Sequence, residues 1–283
     1  MSQFLNTIQQ IVHSDSVEPI TGICRHLGWQ VRRALHRFPC ELPIGGSRLY
    51  VDRPGGVAAL VNAMGEYDFN NMRFLRLVLS ARGGTFVDVG ANIGVYTLIA
   101  SEIGDVRVVS VEPHPATFAL LEENVRLNAR RNVYCVNVAL SHREGELRFT
   151  DYQERAVNRV VSPGENGGSE LRVASRRFDD LCRELSVVPD FVKIDVEGHE
   201  CGVLEGFGDF RAEAKIIFIE GGERQEVENW TKAAGYTGPW FVHFNERVLS
   251  IDRQRRAEDP VFVRVDYVSE LSNIDFDLLN PPV

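Results

Sequence analysis

Apolar positions along this chain recur with two periods. The N-terminal stretch repeats them at helical spacing: Phe4, Leu5, Ile8, Ile11 and Val12, then Trp29, Val31, Ala34, Leu35 and Phe38. Arg25, His26, Arg32, Arg33, His36 and Arg37 are interleaved with the second set. That basic face could steer an anionic substrate, or be a solvated helix face. Pro39 and Pro43 close the segment, and Arg48–Asp52 alternates like a strand before the Pro54-Gly55-Gly56 turn. A helix is predicted over about residues 71–81, stopped by Gly83-Gly84.

From there the pattern becomes strand–helix alternation. Short apolar runs end at Asp88, Glu112, Asp195 and Glu220, with helical patterns at 115–128, 178–185, 200–204 and 224–234. The run Val133–Leu140 is long enough for one strand buried on both faces. Glu146–Phe149 reads as a further strand, and residues 153–170 as a long loop. A strand pair is expected near Trp240–Phe244 and Arg247–Ile251, followed by Val261–Val263 and a Pro-rich end. Alternating strands and helices imply a parallel α/β sheet, and the late pair an antiparallel finish.

The chemistry concentrates at Phe86–Thr97, F-V-D-V-G-A-N-I-G-V-Y-T. Strand, acid, glycine turn and helix form the first βα unit of a nucleotide-type site. A dinucleotide fingerprint needs a third glycine, which Gly90-Ala91-Asn92-Ile93-Gly94 lacks. A phosphate loop needs a Lys after the last glycine, and none follows Gly94. Asp88 repels phosphate at short range and suits a ligand with a cationic end, such as S-adenosylmethionine. Glu112 lies about two dozen residues further on, where a doubly wound fold places the carboxylate that accepts ribose hydroxyls.

A second constellation follows the strand Phe191–Ile194: Asp195, Glu197, His199 and Glu200. An acid or His199 could take the proton of an acceptor hydroxyl. The same residue types can ligate metal, or merely offset the positive end of the next helix. No metal is assigned. Lys193 is expected to reach the sheet end and pair with an acid.

The chain has 283 residues, 44% of them hydrophobic, enough for one large core or a core with an appendage. Its 31 basic and 40 acidic residues give a net charge of −9, which disfavours a nucleic-acid partner. Five scattered cysteines read as reduced thiols in a cytoplasmic protein. No apolar run reaches transmembrane length, and no signal peptide is recognised.

These motifs together resemble the FkbM family of S-adenosylmethionine-dependent methyltransferases. The resemblance rests on Phe86–Thr97, Val111-Glu112-Pro113, Asn137–Ser141, Phe178–Leu181 and Lys193-Ile194-Asp195-Val196-Glu197-Gly198-His199-Glu200. It implies a Rossmann-like methyltransferase fold: a mostly parallel seven-stranded sheet with an antiparallel C-terminal hairpin and helices on both faces. Residues 1–64 would be a helical and hairpin extension, and 65–283 the methyltransferase domain. By the resemblance, Asp88, Gly90, Asn92 and Gly94 line the methionine end of S-adenosylmethionine, Glu112 holds its ribose, and Asn137, Val138 and Ala139 lie near its adenine. Ala91, Tyr96, Thr97 and Pro113 complete the donor set. Asp195, Glu197 and His199 would face the acceptor, a hydroxyl of a sugar, glycolipid or polyketide-type metabolite. Arg155, Asn158 and Glu220 are assigned to the acceptor side. The other readings are an NAD(P)-dependent oxidoreductase and a non-catalytic donor-binding module.

Overall fold

The computed structural model describes residues 7–271, apart from residues 10, 13–16, 67, 163, 223, 246–247 and 254–258. Of the positions read above, Phe4, Leu5, Arg247 and the Pro-rich end lie outside the described residues.

A helix, Pro19–Ala34, precedes an antiparallel hairpin of β1 (Cys40–Ile44) and β2 (Ser47–Val51). The first strand was not legible, because Pro43 reads as a breaker; at a two-stranded edge its missing N–H costs little. Helices Gly56–Met64 and Phe69–Arg82 follow. Leu42, Ile44, Leu49, Val51, Ala58 and Val61 are buried in the same core as Phe86 and Phe218, so the extension packs directly on the sheet. Two asparagines fasten it. Asn124 exchanges hydrogen bonds with Tyr50 N (2.6 Å) and O (3.2 Å), and Asn128 with Arg48 N (2.8 Å) and O (2.7 Å).

Three strands then run in parallel: β3 (Gly84–Val89), β4 (Val106–Val111) and β5 (Val133–Val136). The run Val133–Leu140 is therefore not one strand. It breaks at Asn137, whose side-chain amide donates to the carbonyls of Glu112 (2.8 Å) and Pro113 (3.0 Å). The chain leaves the main sheet there and builds a small one from β6 (Ala139–Leu140), β7 (Gly145–Thr150) and β8 (Glu170–Arg176), in the order β6-β8-β7. β8 begins at Glu170, where the stretch read as loop ends, and is not among the predicted strands; charged Glu170, Arg172 and Arg176 mask the alternation of Leu171, Val173 and Ser175.

The chain re-enters the main sheet with β9 (Phe191–Ile194) and β10 (Ile216–Ile219), both parallel to β3. β11 (Tyr236–Asn245), β12 (Val248–Asp252) and β13 (Val261–Arg264) finish it. β13 slots between β10 and β11, antiparallel to both. The order is β12-β11-β13-β10-β9-β3-β4-β5, so the expected parallel sheet with an antiparallel finish carries an eighth strand, β12, at its edge. Helices cover both faces. The Phe86, Val108, Phe191, Ile216 and Phe218 face packs on Phe69–Arg82 and Val95–Ser101; the Val87, Val109, Val192 and Ile217 face packs on Phe178–Leu185 and Gln225–Ala233. No helix among the described residues is long and apolar enough to cross a membrane. Strand order reverses between β3 and β9, the place where such sheets open a crevice at their carboxyl ends.

Candidate active site

A cavity of about 190 Å³ opens at that reversal point. It is lined from the sheet by Asp88, Gly90, Glu112, Lys193, Asp195 and Glu220, and from outside by Val57, Phe149, Arg155, Ala156 and Asn158.

The register places the chemistry. Ser110, Asp88 and Lys193 are neighbours across β4, β3 and β9. Thr97 Oγ1 ties the row together, at 2.7 Å from both Asp88 Oδ2 and Ser110 Oγ. Asp88 is buried, and among the described residues its Oδ1 has no hydrogen-bond partner. Burial raises its pKa, and Asp195 adds to that, against the Lys193 ammonium and the Thr97 hydroxyl. An orphaned carboxylate oxygen in a buried wall is where a cationic ligand group gains most.

The turn after β3 is held against β4 by Gly90 N and Ala91 N, which donate to Val111 O at 2.9 and 3.0 Å. Gly90 has φ +82°, and a Cβ there would run into the Asp195 carbonyl oxygen. Glycine is thus required twice, for conformation and for contact. Asn92 N (3.0 Å) and His114 N (2.9 Å) donate to the two oxygens of Glu112. Burial pushes Glu112 up to about 7, although those amides pull it down. Asn137 shapes the same segment through its two carbonyl contacts. Pro113, Val138 and Ala139 border a second, apolar hollow of about 20 Å³ beside the cavity.

Across the cavity stands an acid cluster. Lys193 Nζ is 2.6 Å from Asp195 Oδ2 and 4.8 Å from the centroid of the Tyr96 ring, whose hydroxyl donates to Asp68. Ligand atoms of Asp195, Glu197 and Glu220 lie within 4.8 Å of one another, among the described residues the one grouping able to hold a metal ion. Burial works against the Asp195 carboxylate, but the Lys193 charge and hydrogen bonds from Glu220 and Lys193 hold its pKa below the ordinary range. Glu220 is the reverse: burial, the Asp195 charge and its own hydrogen bond to Asp195 push it up to about 9. Near neutral pH the pair therefore carries one proton, on Glu220. Glu197 is raised by burial and by Asp195 and Glu200. It sits at φ +54° and accepts no hydrogen bond among the described residues. Non-glycine residues held in that backbone region cluster at functional sites.

The other expected positions fall as follows. Gly94 caps the helix Val95–Ser101 behind the turn. His199 lies outside the cavity lining, on the apolar hollow, with Nε2 3.0 Å from Ser141 Oγ; burial lowers its pKa. Arg155 lines the cavity, but its guanidinium makes a two-pronged ion pair with Asp52, at 2.7 and 3.0 Å. Asn158 spends its amide on Thr150 and Tyr152, fixing the loop. Sequence reading missed Asp52, Val57 and Phe149. Only Asp52 carries a signal, an acid at a strand end before a Pro-Gly-Gly turn.

Residues 88–251 match the family described as "Methyltransferase FkbM domain". Among named relatives, the chain is 32% identical to "Hexuronic acid methyltransferase AglP" of Haloferax volcanii, over 47% of this chain and 54% of that protein. It is 28% identical to "Methyltransferase 1" of Beauveria bassiana, over 44% and 58%. It is 31% identical to "31-O-demethyl-FK506 methyltransferase FkbM" of Streptomyces tacrolimicus, over 55% and 74%. The chain thus spans just over half the length of the first two relatives. With that profile spanning more than half its length, from Asp88 in β3 through the acid cluster to the C-terminal strands, this chain belongs to the FkbM methyltransferase family.

Proposed function

We propose that the protein transfers a methyl group from S-adenosylmethionine to a hydroxyl of a sugar, glycolipid or polyketide-type metabolite. The observation that carries this reading is the pairing of Asp88, with its unpartnered buried oxygen, and the acid cluster Asp195, Glu197 and Glu220 across one cavity. The names of the relatives support it: one names a hexuronic acid, another 31-O-demethyl-FK506.

When bound, the donor supplies a methyl group on a positively charged sulfur. Asp88 holds the cationic amino-acid end. Glu112, oriented by the Asn92 and His114 amides, faces the ribose hydroxyls. On the other side Asp195, kept ionised by Lys193, accepts a hydrogen bond from the acceptor hydroxyl and aims its oxygen. Glu197 takes the proton. Its raised pKa makes it a better base than an ordinary carboxylate, and a placed base contributes about 10²–10⁴-fold. Arg155, Ala156 and Val57 form the outer wall of the cavity. The five cysteines are all free, which supports a reducing, cytoplasmic setting.

The test is to incubate the protein with S-adenosylmethionine and a panel of hydroxylated sugars, glycolipids and macrolides, and to look for a gain of one methyl mass. Glu197→Gln is expected to keep affinity for S-adenosylhomocysteine and lose turnover of the acceptor so found. Unchanged turnover would remove Glu197 from the mechanism. Tight binding of NADH, with none of S-adenosylhomocysteine, would overturn the donor assignment in favour of an oxidoreductase.

A further inference from the structure

The helix Pro19–Ala34 turns its apolar side away from the protein. The side chains it buries are Gly22, His26 and Trp29. On the opposite side Ile20 is 70% exposed, Leu27 49% and Val31 57%, and Leu35 just past the helix 53%. Cys24, Gly28 and Ala34 share that exposed side. At helical spacing, residues 20, 24, 27, 28, 31, 34 and 35 fall within an arc of about 120°. A stripe of this length left in water is unusual, because a helix normally buries its apolar face.

Charge decides what covers it. Arg25 and Arg32 run along one flank of the arc, and Arg33 and Arg37 add to the C-terminal end. No Asp or Glu occurs between Glu18 and Glu41, in a chain whose net charge is −9. The 4–3 spacing of Ile20, Cys24, Leu27, Val31 and Ala34 would suit a helical seam. A second copy packed there, however, brings two arginine rows together with no acid to meet them. An anionic lipid surface meets both demands: its acyl boundary takes the apolar arc and its headgroups take the arginines.

We infer that the helix Pro19–Ala34 docks the protein onto the surface of an anionic bilayer. The helix packs on Gly56–Met64, whose Val57 lines the cavity. One helix, Gly56–Met64, therefore links the cavity wall to the docked helix. This placement does not depend on the identity of donor or acceptor.

The experiment is co-sedimentation of the full chain with phosphatidylcholine vesicles, with and without about one third phosphatidylglycerol, at low and high salt. Binding is expected to the anionic vesicles at low salt only. Leu27→Gln with Val31→Gln should cut the bound fraction at least tenfold, and Arg25→Ser or Arg32→Ser about fivefold each, the equivalent of about 1 kcal/mol per basic residue. Arg25, Leu27 and Val31 are exposed and Arg32 is half-buried, and unchanged melting and S-adenosylhomocysteine binding would show that the variants fold. Three results would overturn the inference: no binding to anionic vesicles, equal binding by the variants, or a dimer in sedimentation velocity that the glutamine pair dissolves.

Discussion

Lys193 Nζ lies 2.6 Å from Asp195 Oδ2, its partner two positions along the chain at the end of β9. With Tyr96 beneath it, this ammonium is set against the carboxyls of Asp88, Asp195, Glu197 and Glu220. Replacing it by Met removes the charge that holds Asp195 ionised against burial. A fully buried pair broken on one side costs 3–5 kcal/mol; with Asp195 partly open to solvent, Lys193→Met should cost about 3 kcal/mol at pH 7. Asp195 has a depressed pKa, so the pair stabilises above its unfolded value and that benefit is lost as pH falls through the folded one. Urea titrations at pH 7 and at a pH well below 3.8, the ordinary aspartate value, should therefore show the gap between variant and wild type narrowing in acid.

Glu220 carries the opposite dependence. Its carboxyl titrates near 4.5 when free of the fold and at about 9 within it. The unfolded chain releases the proton first, so the contribution is whole below the lower value and is lost as pH rises toward the upper one. Glu220→Gln keeps a donor toward Asp195 and has nothing to ionise. Scanning calorimetry should show it melting with the wild type near pH 4.5 and above it at pH 9, by a few degrees.

The Asp52–Arg155 pair joins the N-terminal hairpin to the loop over the cavity. Glu154 adds a contact to Gly56 N at 3.3 Å. Asp52→Ala, Arg155→Ala and the double variant form a cycle whose coupling should be about 1–2 kcal/mol, as for a two-pronged, partly buried pair. The kinetic expectation is a raised KM for the acceptor, with S-adenosylhomocysteine affinity unchanged by calorimetry.

Asp88→Asn preserves shape and an oxygen for Thr97 but discards the charge. Donor-side affinity should fall about 10–100-fold, equivalent to about 1.4–2.7 kcal/mol. Calorimetry with S-adenosylhomocysteine reads this directly, and an unchanged constant would move the cationic end of the donor elsewhere.

Asp195, Glu197 and Glu220 are close enough to hold a cation, yet the Lys193 ammonium and the proton on Glu220 already offset their charge. Methyl transfer is therefore expected to survive exhaustive chelation. Loss of turnover in EDTA, restored by magnesium or manganese, would show instead that a metal displaces that proton.

The sheet was legible where strands are buried on both faces. Val87, Val109, Val192 and Ile217 stand in short runs that are mostly apolar and closed by an acid, as core parallel strands are. The turn after β3 was legible because Gly90 and Gly94 both stand at positive φ, which their spacing announces. What escaped was set by contacts between distant segments. Nothing local in Val133–Leu140 shows that Asn137 will turn to the Glu112 and Pro113 carbonyls and divide the run. Nothing near Asp52 shows Arg155, about a hundred residues on. Arg155 and Asn158, assigned to the acceptor side, line the cavity, but their polar groups are committed to the protein's own chain. Lys193 was expected to reach an acid; which acid only the register of β9 could say.

Because the backbone of Asp195 fills the space where residue 90 would carry a side chain, the turn after β3 and the acid-bearing strand end behave as one casting. Neither can be resculpted without moving its counterpart. Catalysts with new acceptors are better sought by exchanging the contiguous 139–176 insert and the hairpin that latches onto it, which touch the rim and leave that joint alone.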